Sequence, residues 1–184
     1  GKPIPSLQSI DHEEKVIYLG TFSKSIAPSL RISYMVLPLH LLKKYQESCS
    51  FYSTTVSKIQ QEVLREFIRG GYFGRHLNKM RGIYKNKHDF LVGELKKKNW
   101  VQNIAGDNAG LHVLVQVNTT LTEEEICKKA AECGIRLMGI REHYIHTPPE
   151  GRPVLLLGYG KPDEQEIQKG LEVLESIVLE NRIP

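Results

Sequence analysis

Long apolar runs are missing from this chain: nowhere does one approach the ~20 residues that a membrane span requires. No signal-peptide pattern opens it, so the sequence points to a cytoplasmic protein. Cysteine is scarce as well. Cys49, Cys127 and Cys133 are an odd number without metal-type pairing, which argues against a disulfide framework and for isolated thiols in a reducing compartment. Excess charge is small: a formal net charge of +4 is too little to argue for a nucleic-acid surface. The basic stretches Lys85-Asn86-Lys87-His88 and Lys96-Lys97-Lys98 read as a solvated helix face, because acidic residues interrupt them and no aromatic stripe interleaves. No repeat and no low-complexity tract is present. What remains, 40% hydrophobic and 25% charged, is an ordinary soluble composition sufficient for one domain or two small ones.

Periodicity gives the organisation. Lys2 to Glu14, with Pro3 and Pro5, reads as an extended lead-in, followed by strands at about 15–20 and 31–37. Pro38 opens a helix to about Ser48. Thr54 or Thr55 is positioned to cap a long amphipathic helix carrying Val56, Ile59, Val63, Phe67 and Ile68, which Gly70-Gly71 stops. Helical spacing resumes from Tyr72 to about Lys98. Leu111, Val113, Val115 and Val117 then alternate as a strand, with a helix at about 122–133, a short strand from Ile135 to Ile140 and a fuller one from Val154 to Tyr159. Asp163 caps a last helix through about Leu179, with Ile167, Leu171, Leu174 and Val178 on its apolar stripe. The second half reads as a βαβ-type sheet layer with helices on one face.

The most informative stretch runs from Val16 to Met35. It sets one lysine, Lys24, among hydroxyls in a Gly- and Pro-punctuated turn between two strand-like runs, with Arg31 seven residues on. A lysine that forms a Schiff base with an aldehyde must be fixed in place and partly desolvated, so that its amine is nucleophilic near neutral pH. A phosphate on that aldehyde also needs hydroxyl donors and a guanidinium. Thr21, Ser23 and Arg31 have the right chemistry, and the set suits pyridoxal 5'-phosphate. Hydroxyls in turns also serve local backbone bonds, so Thr21 and Ser23 carry that competing role.

Gly20-Thr21-Phe22-Ser23-Lys24-Ser25-Ile26-Ala27-Pro28-Ser29-Leu30-Arg31-Ile32-Ser33-Tyr34 resembles the cofactor-lysine segment of fold type I aminotransferases. The run from Gly71 to Tyr84, the start of a strand at Ala109-Gly110-Leu111-His112, and Leu155-Leu156-Leu157-Gly158-Tyr159 resemble the MocR branch of the GntR regulators, in which an aminotransferase-like domain follows a winged-helix DNA-binding domain. The resemblance implies an α/β chain that is the C-terminal fragment of such a fold: residues 1–71 a remnant of the large PLP-binding domain, 72–98 a bridging helix, and 99–184 a small α/β domain. It assigns Lys24 as the catalytic lysine and Lys24, Arg31, Thr21 and Ser23 as cofactor-binding, with no metal. It also implies a homodimer, an amine or amino-acid effector, and DNA contact only through an upstream domain.

One departure bears on chemistry. Aminotransferases of this fold bind the substrate carboxylate with an arginine in a segment Arg-Leu-x-Phe, and the matching segment here is Leu156-Leu157-Gly158-Tyr159. A leucine cannot offer a bidentate fork, and Arg152, Arg136 and Arg141 are the neighbouring alternatives. His112 reads as structural, facing away from the core, and His143 and His146 would point to opposite sides of a strand, so they form no metal shell. The expected function is an effector-sensing, PLP-binding domain of a transcription regulator. The alternatives are a PLP-dependent aminotransferase or lyase, and a cofactor-free dimerisation module.

Overall fold

A computed structural model describes residues 5–106, 110–147 and 150–181; Lys2, Pro3 and Ala109, which the sequence reading used, lie outside them. The chain divides into two compact units, one ending at Arg81 and the other starting at Gly82.

In the first unit, β1 (Tyr18–Thr21) and β2 (Ser33–Val36) form an antiparallel pair in which Thr21 faces Ser33 and Tyr18 faces Val36. Between them lie a single helical turn, α1 (Phe22–Ser25), and a 3-10 turn over Pro28–Leu30. The second strand is shorter than expected because Arg31 is not extended: it takes a left-handed conformation at φ 51, and pairing begins two residues later. Two helices follow, α2 (Leu39–Cys49) and α3 (Lys58–Arg69). Ser57, rather than Thr54 or Thr55, caps α3, accepting the backbone N–H of Gln60 at 3.2 Å. Thr54 instead closes a local turn onto the N–H of Val56. Gly70 ends α3, and Gly71, at φ 71, makes the left-handed turn that a side chain would resist.

The helix α4 (Tyr72–Lys96) begins in the first unit and ends in the second. The second unit is a four-stranded sheet in the order β3 (Val101–Ala105), β4 (His112–Val117), β6 (Val154–Gly158), β5 (Met138–Gly139), each neighbour antiparallel. The expected βαβ unit is therefore a split one. The connection from β4 through α5 (Glu123–Glu132) reaches β5 two places away, and β6 fills the gap. Capping boxes start α5 at Thr122 and α6 (Glu164–Leu179) at Asp163.

Alternation places Val113, Val115 and Val117 on one face of β4, and Leu155 and Leu157 on the same side of β6. With Leu95, Trp100, Ile126 and the stripe Ile167, Leu171, Leu174 and Val178 of α6 they make one core. Each such aliphatic side chain contributes about 1.5–3 kcal/mol of burial. The first unit differs sharply. Among its described residues Ile32 is the one buried hydrophobic side chain, while Leu19, Leu39, Phe51, Tyr52, Ile59 and Val63 are each more than 60% exposed.

Candidate functional site

The segment carrying Lys24 is held from both ends of its turn. The carbonyl of Ile32 accepts two bonds, from the backbone N–H of Phe22 at 2.9 Å and from the hydroxyl of Thr21 at 3.2 Å. Thr21 in turn caps α1, its oxygen accepting the N–H of Ser23 at 3.2 Å, and Ser25 donates its hydroxyl to the carbonyl of Thr21. Ser25 and the Ile32 carbonyl were not singled out by sequence. The only sequence signal for them is the density of hydroxyls in the turn.

Aromatic packing fixes the underside. Phe22 lies 5.0 Å, centroid to centroid, from Tyr34 and meets Phe73 edge-on at 5.9 Å. The ring of Tyr34 crosses Gly20 so closely that a Cβ there would overlap its hydroxyl and ring atoms, which is why the strand before the lysine carries glycine. Ile32, buried to 6% exposure, completes the support. Lys24 stands two residues past Phe22 on a turn whose apolar side is taken.

The four residues singled out are then placed as follows. Lys24 and Arg31 are exposed, and among the described residues neither side chain meets an ionic or hydrogen-bonding partner. Sequence reasoning expected Lys24 to be partly desolvated; in this unit too few side chains surround it to exclude water. The Ser23 hydroxyl is half-buried and likewise makes no hydrogen bond among the described residues. Thr21 differs: its hydrogen is already on the Ile32 carbonyl, so it donates to a ligand only by giving up that bond. Among the described residues Arg31 is one of two non-glycine residues with positive φ, a conformation that costs a non-glycine residue about 1–3 kcal/mol.

In the second unit Leu156 is half-buried on the face of β6 opposite the core, paired with Leu114 of β4 and Met138 of β5. Arg152 precedes that strand, and Arg136 and Arg141 are exposed. His112 is exposed beside Gly158, as expected of a residue facing away from the core. His143 ends a 3-10 turn over Arg141–His143, and His146 lies in a loop, so that segment is no strand. The basic stretches sit on and after α4, with Lys85 paired to Asp89 at 2.5 Å and Lys98 to Glu175 at 2.7 Å.

A carboxylate that sequence reasoning passed over proves structural. Glu123, 6% exposed at the start of α5, accepts the backbone N–H of Arg141 and that of Val154, each at 2.9 Å. It thereby ties both ends of the segment between β5 and β6.

The family of aminotransferases class I and II matches residues 2–167. The HTH-type transcriptional regulator YdeL of Bacillus subtilis is 40% identical over 177 residues, 96% of this chain and 38% of its own length. The probable rhizopine catabolism regulatory protein MocR of Rhizobium meliloti is 30% identical over 181 residues, 97% of this chain and 36% of its own length. Among solved structures, a kynurenine aminotransferase of Pyrococcus horikoshii superimposes with a TM-score of 0.78 at 26% identity, over 98% of this chain and 44% of that one. The chain thus spans under two fifths of these regulators' length. A match over 2–167, with the lysine turn in its expected place between two strands, means that this chain belongs to the aminotransferase class I and II family.

Proposed function

We propose that this chain is the cofactor-binding, effector-sensing part of a MocR-type transcription regulator, with pyridoxal 5'-phosphate held at Lys24. The observation that carries the reading is a free donor set on a chain matched by regulators over nearly all its length. An amine, a hydroxyl and a guanidinium, on Lys24, Ser23 and Arg31, stand without hydrogen-bonding or ionic partners among the described residues, within nine residues of sequence. When bound, the cofactor supplies an aldehyde that captures amines and an electron-withdrawing ring. Lys24 would hold that aldehyde, and Arg31 and Ser23 would grip the phosphate. Thr21, bonded to Ile32 and Ser23, keeps the turn in shape and joins the phosphate only by rearranging. Residues 1–71 would then belong to the large cofactor domain, 72–98 to the bridging helix and 99–184 to the small domain.

An amine or amino-acid effector that competes with Lys24 would favour one arrangement of the two domains over another. Only such a difference in affinity can shift an equilibrium and reach a DNA-binding domain. Leu156 suits a sensor, because it withholds the carboxylate fork of an ordinary α-amino-acid enzyme. We place DNA contact in a separate domain, in keeping with the relatives' helix-turn-helix designation, and assign homodimer formation to the exposed apolar surface of the first unit.

The test is made on the full-length gene product. Incubation with pyridoxal phosphate, borohydride reduction and peptide mapping should mark Lys24, and an amine panel should change operator binding in the wild type but not in Lys24→Ala. A reducible adduct that persists elsewhere in Lys24→Ala would overturn the assignment.

The likeness to a kynurenine aminotransferase favours one further reading, an enzyme in which the Lys24 amine is the base that moves a substrate α-proton. Sustained amino-group transfer by the full-length protein would decide for it.

A further inference from the structure

Gly170 sits inside α6 without the usual reasons for a helical glycine. Its φ is not positive, and a Cβ built on it meets nothing within 4 Å, so neither backbone conformation nor close packing calls for it. A glycine in a helix interior weakens the helix relative to alanine. What lies beside it is a cavity of about 560 Å³ between α6, the β6 strand and the Ile135–Leu137 segment. That volume falls in the range of small-molecule sites, roughly 300–1,000 Å³.

The lining divides by chemistry. Leu137, Leu157 and Leu171 give it a hydrocarbon wall, whereas Arg136, Lys161 and Lys169 bring three cations to it. Among the described residues none of the three side chains is ion-paired. The acid on the wall, Glu166, has a carboxylate oxygen engaged with the N–H of Asp163 at 2.9 Å in the helix cap. Positive charge over a hydrocarbon wall is complementary to one kind of small molecule.

We infer that this cavity is a second ligand site, taking an organic acid with an apolar body, such as a medium-chain aliphatic carboxylate. The acid head meets Arg136, Lys161 and Lys169, and its chain lies along Leu137, Leu157 and Leu171, in the space that Gly170 leaves open. All of these residues belong to the second unit, so the site does not rest on the cofactor reading.

Sodium octanoate is the probe, titrated into the 184-residue chain by calorimetry and by amide NMR shifts, with octan-1-ol and octylamine as comparators. Saturable one-to-one binding of octanoate is expected, with shifts centred on 135–137 and 169–171. The neutral and cationic comparators should bind at least about tenfold more weakly, as loss of charge-assisted bonds implies. Gly170→Leu fills the space and should abolish binding while the melting temperature holds or rises. The exposed substitution Lys169→Glu, which leaves the helix face intact, should weaken octanoate roughly five- to tenfold and leave octanol unchanged. Equal affinity for octanoate and octanol, non-saturable binding, or full octanoate affinity in a folded Gly170→Leu or Lys169→Glu variant would overturn the inference.

Discussion

Trp100 donates its indole N–H to the carboxylate of Glu175 at 3.1 Å, and Lys98 donates to the other oxygen of that carboxylate at 2.7 Å. The bond to Lys98, and after it the indole bond, hold the Glu175 carboxyl below the usual glutamate range, against a desolvation that acts the other way. The folded value is the lower one, so the contribution to stability is full above the titration of the unfolded carboxyl, about pH 4.3, and is lost as pH falls toward the folded value. Glu175→Gln should flatten the melting temperature between pH 6 and 3 relative to wild type. Glu175→Ala should cost about 1–2 kcal/mol at pH 7, given the partial exposure of the pair. Trp100 is the one tryptophan and is fully buried, so its fluorescence reports this unit's unfolding directly.

Glu123 should prove more costly to replace. Its carboxylate serves two backbone donors, and Glu123→Ala strands both, for an expected loss of about 2–4 kcal/mol. Gly139→Ala attacks the same contact from the other side, because the new Cβ would stand 2.7 Å from the Glu123 Cβ and closer still to its carboxylate. It should cost about 1–3 kcal/mol as an overpacked site. Denaturant melts followed at Trp100 would measure both. Wild-type stability in Glu123→Ala would show that the two N–H groups find water instead.

The α3 helix carries Ile59 and Val63 at 77% and 63% exposure, one helical turn apart, with Phe67 a further turn on. Such a stripe seeks a cover. The 184-residue chain is expected to self-associate in a concentration-dependent way, and Ile59→Glu with Val63→Glu should shift sedimentation toward the monomer without altering the Trp100 melt. A monodisperse monomer at high concentration would count against a role for this face in self-association.

Much of the second unit was legible because its signals are local and redundant. Asp163 capped α6 as expected, and the spacing of Ile167, Leu171, Leu174 and Val178 buried all four. The alternation of β4 was equally plain. The strand β3 was not, since Val101–Ala105 has no clean alternation and its pairing with β4 is irregular between Val101 and Asn103. Ser57 won the α3 cap over Thr54 and Thr55 by geometry that no propensity separates. At the candidate site the residue types around Lys24 were readable, but their conformations were not. The Ile32 carbonyl, which gathers both Phe22 and Thr21, and the left-handed turn at Arg31 depend on chain closure across the β1–β2 pair rather than on local composition.

Arg31 separates a structural from a ligand-binding role cleanly, because its backbone and its side chain ask for different residues. The left-handed φ of 51 is what glycine adopts without penalty, and the guanidinium contacts no charged or hydrogen-bonding partner among the described residues. Arg31→Gly should therefore keep the fold intact, with thermal stability unchanged or raised. If the guanidinium grips the cofactor's phosphate, the same substitution in the full-length protein should weaken pyridoxal phosphate by about 1.5–3 kcal/mol, the scale of a charge-assisted bond. Arg31→Lys should recover only part of the loss, since an ammonium cannot reproduce the fork. Equilibrium dialysis against pyridoxal phosphate beside the corresponding melts would read both quantities. Unchanged affinity in a folded Arg31→Gly protein would remove Arg31 from the site and leave its strained backbone without a ligand to account for it.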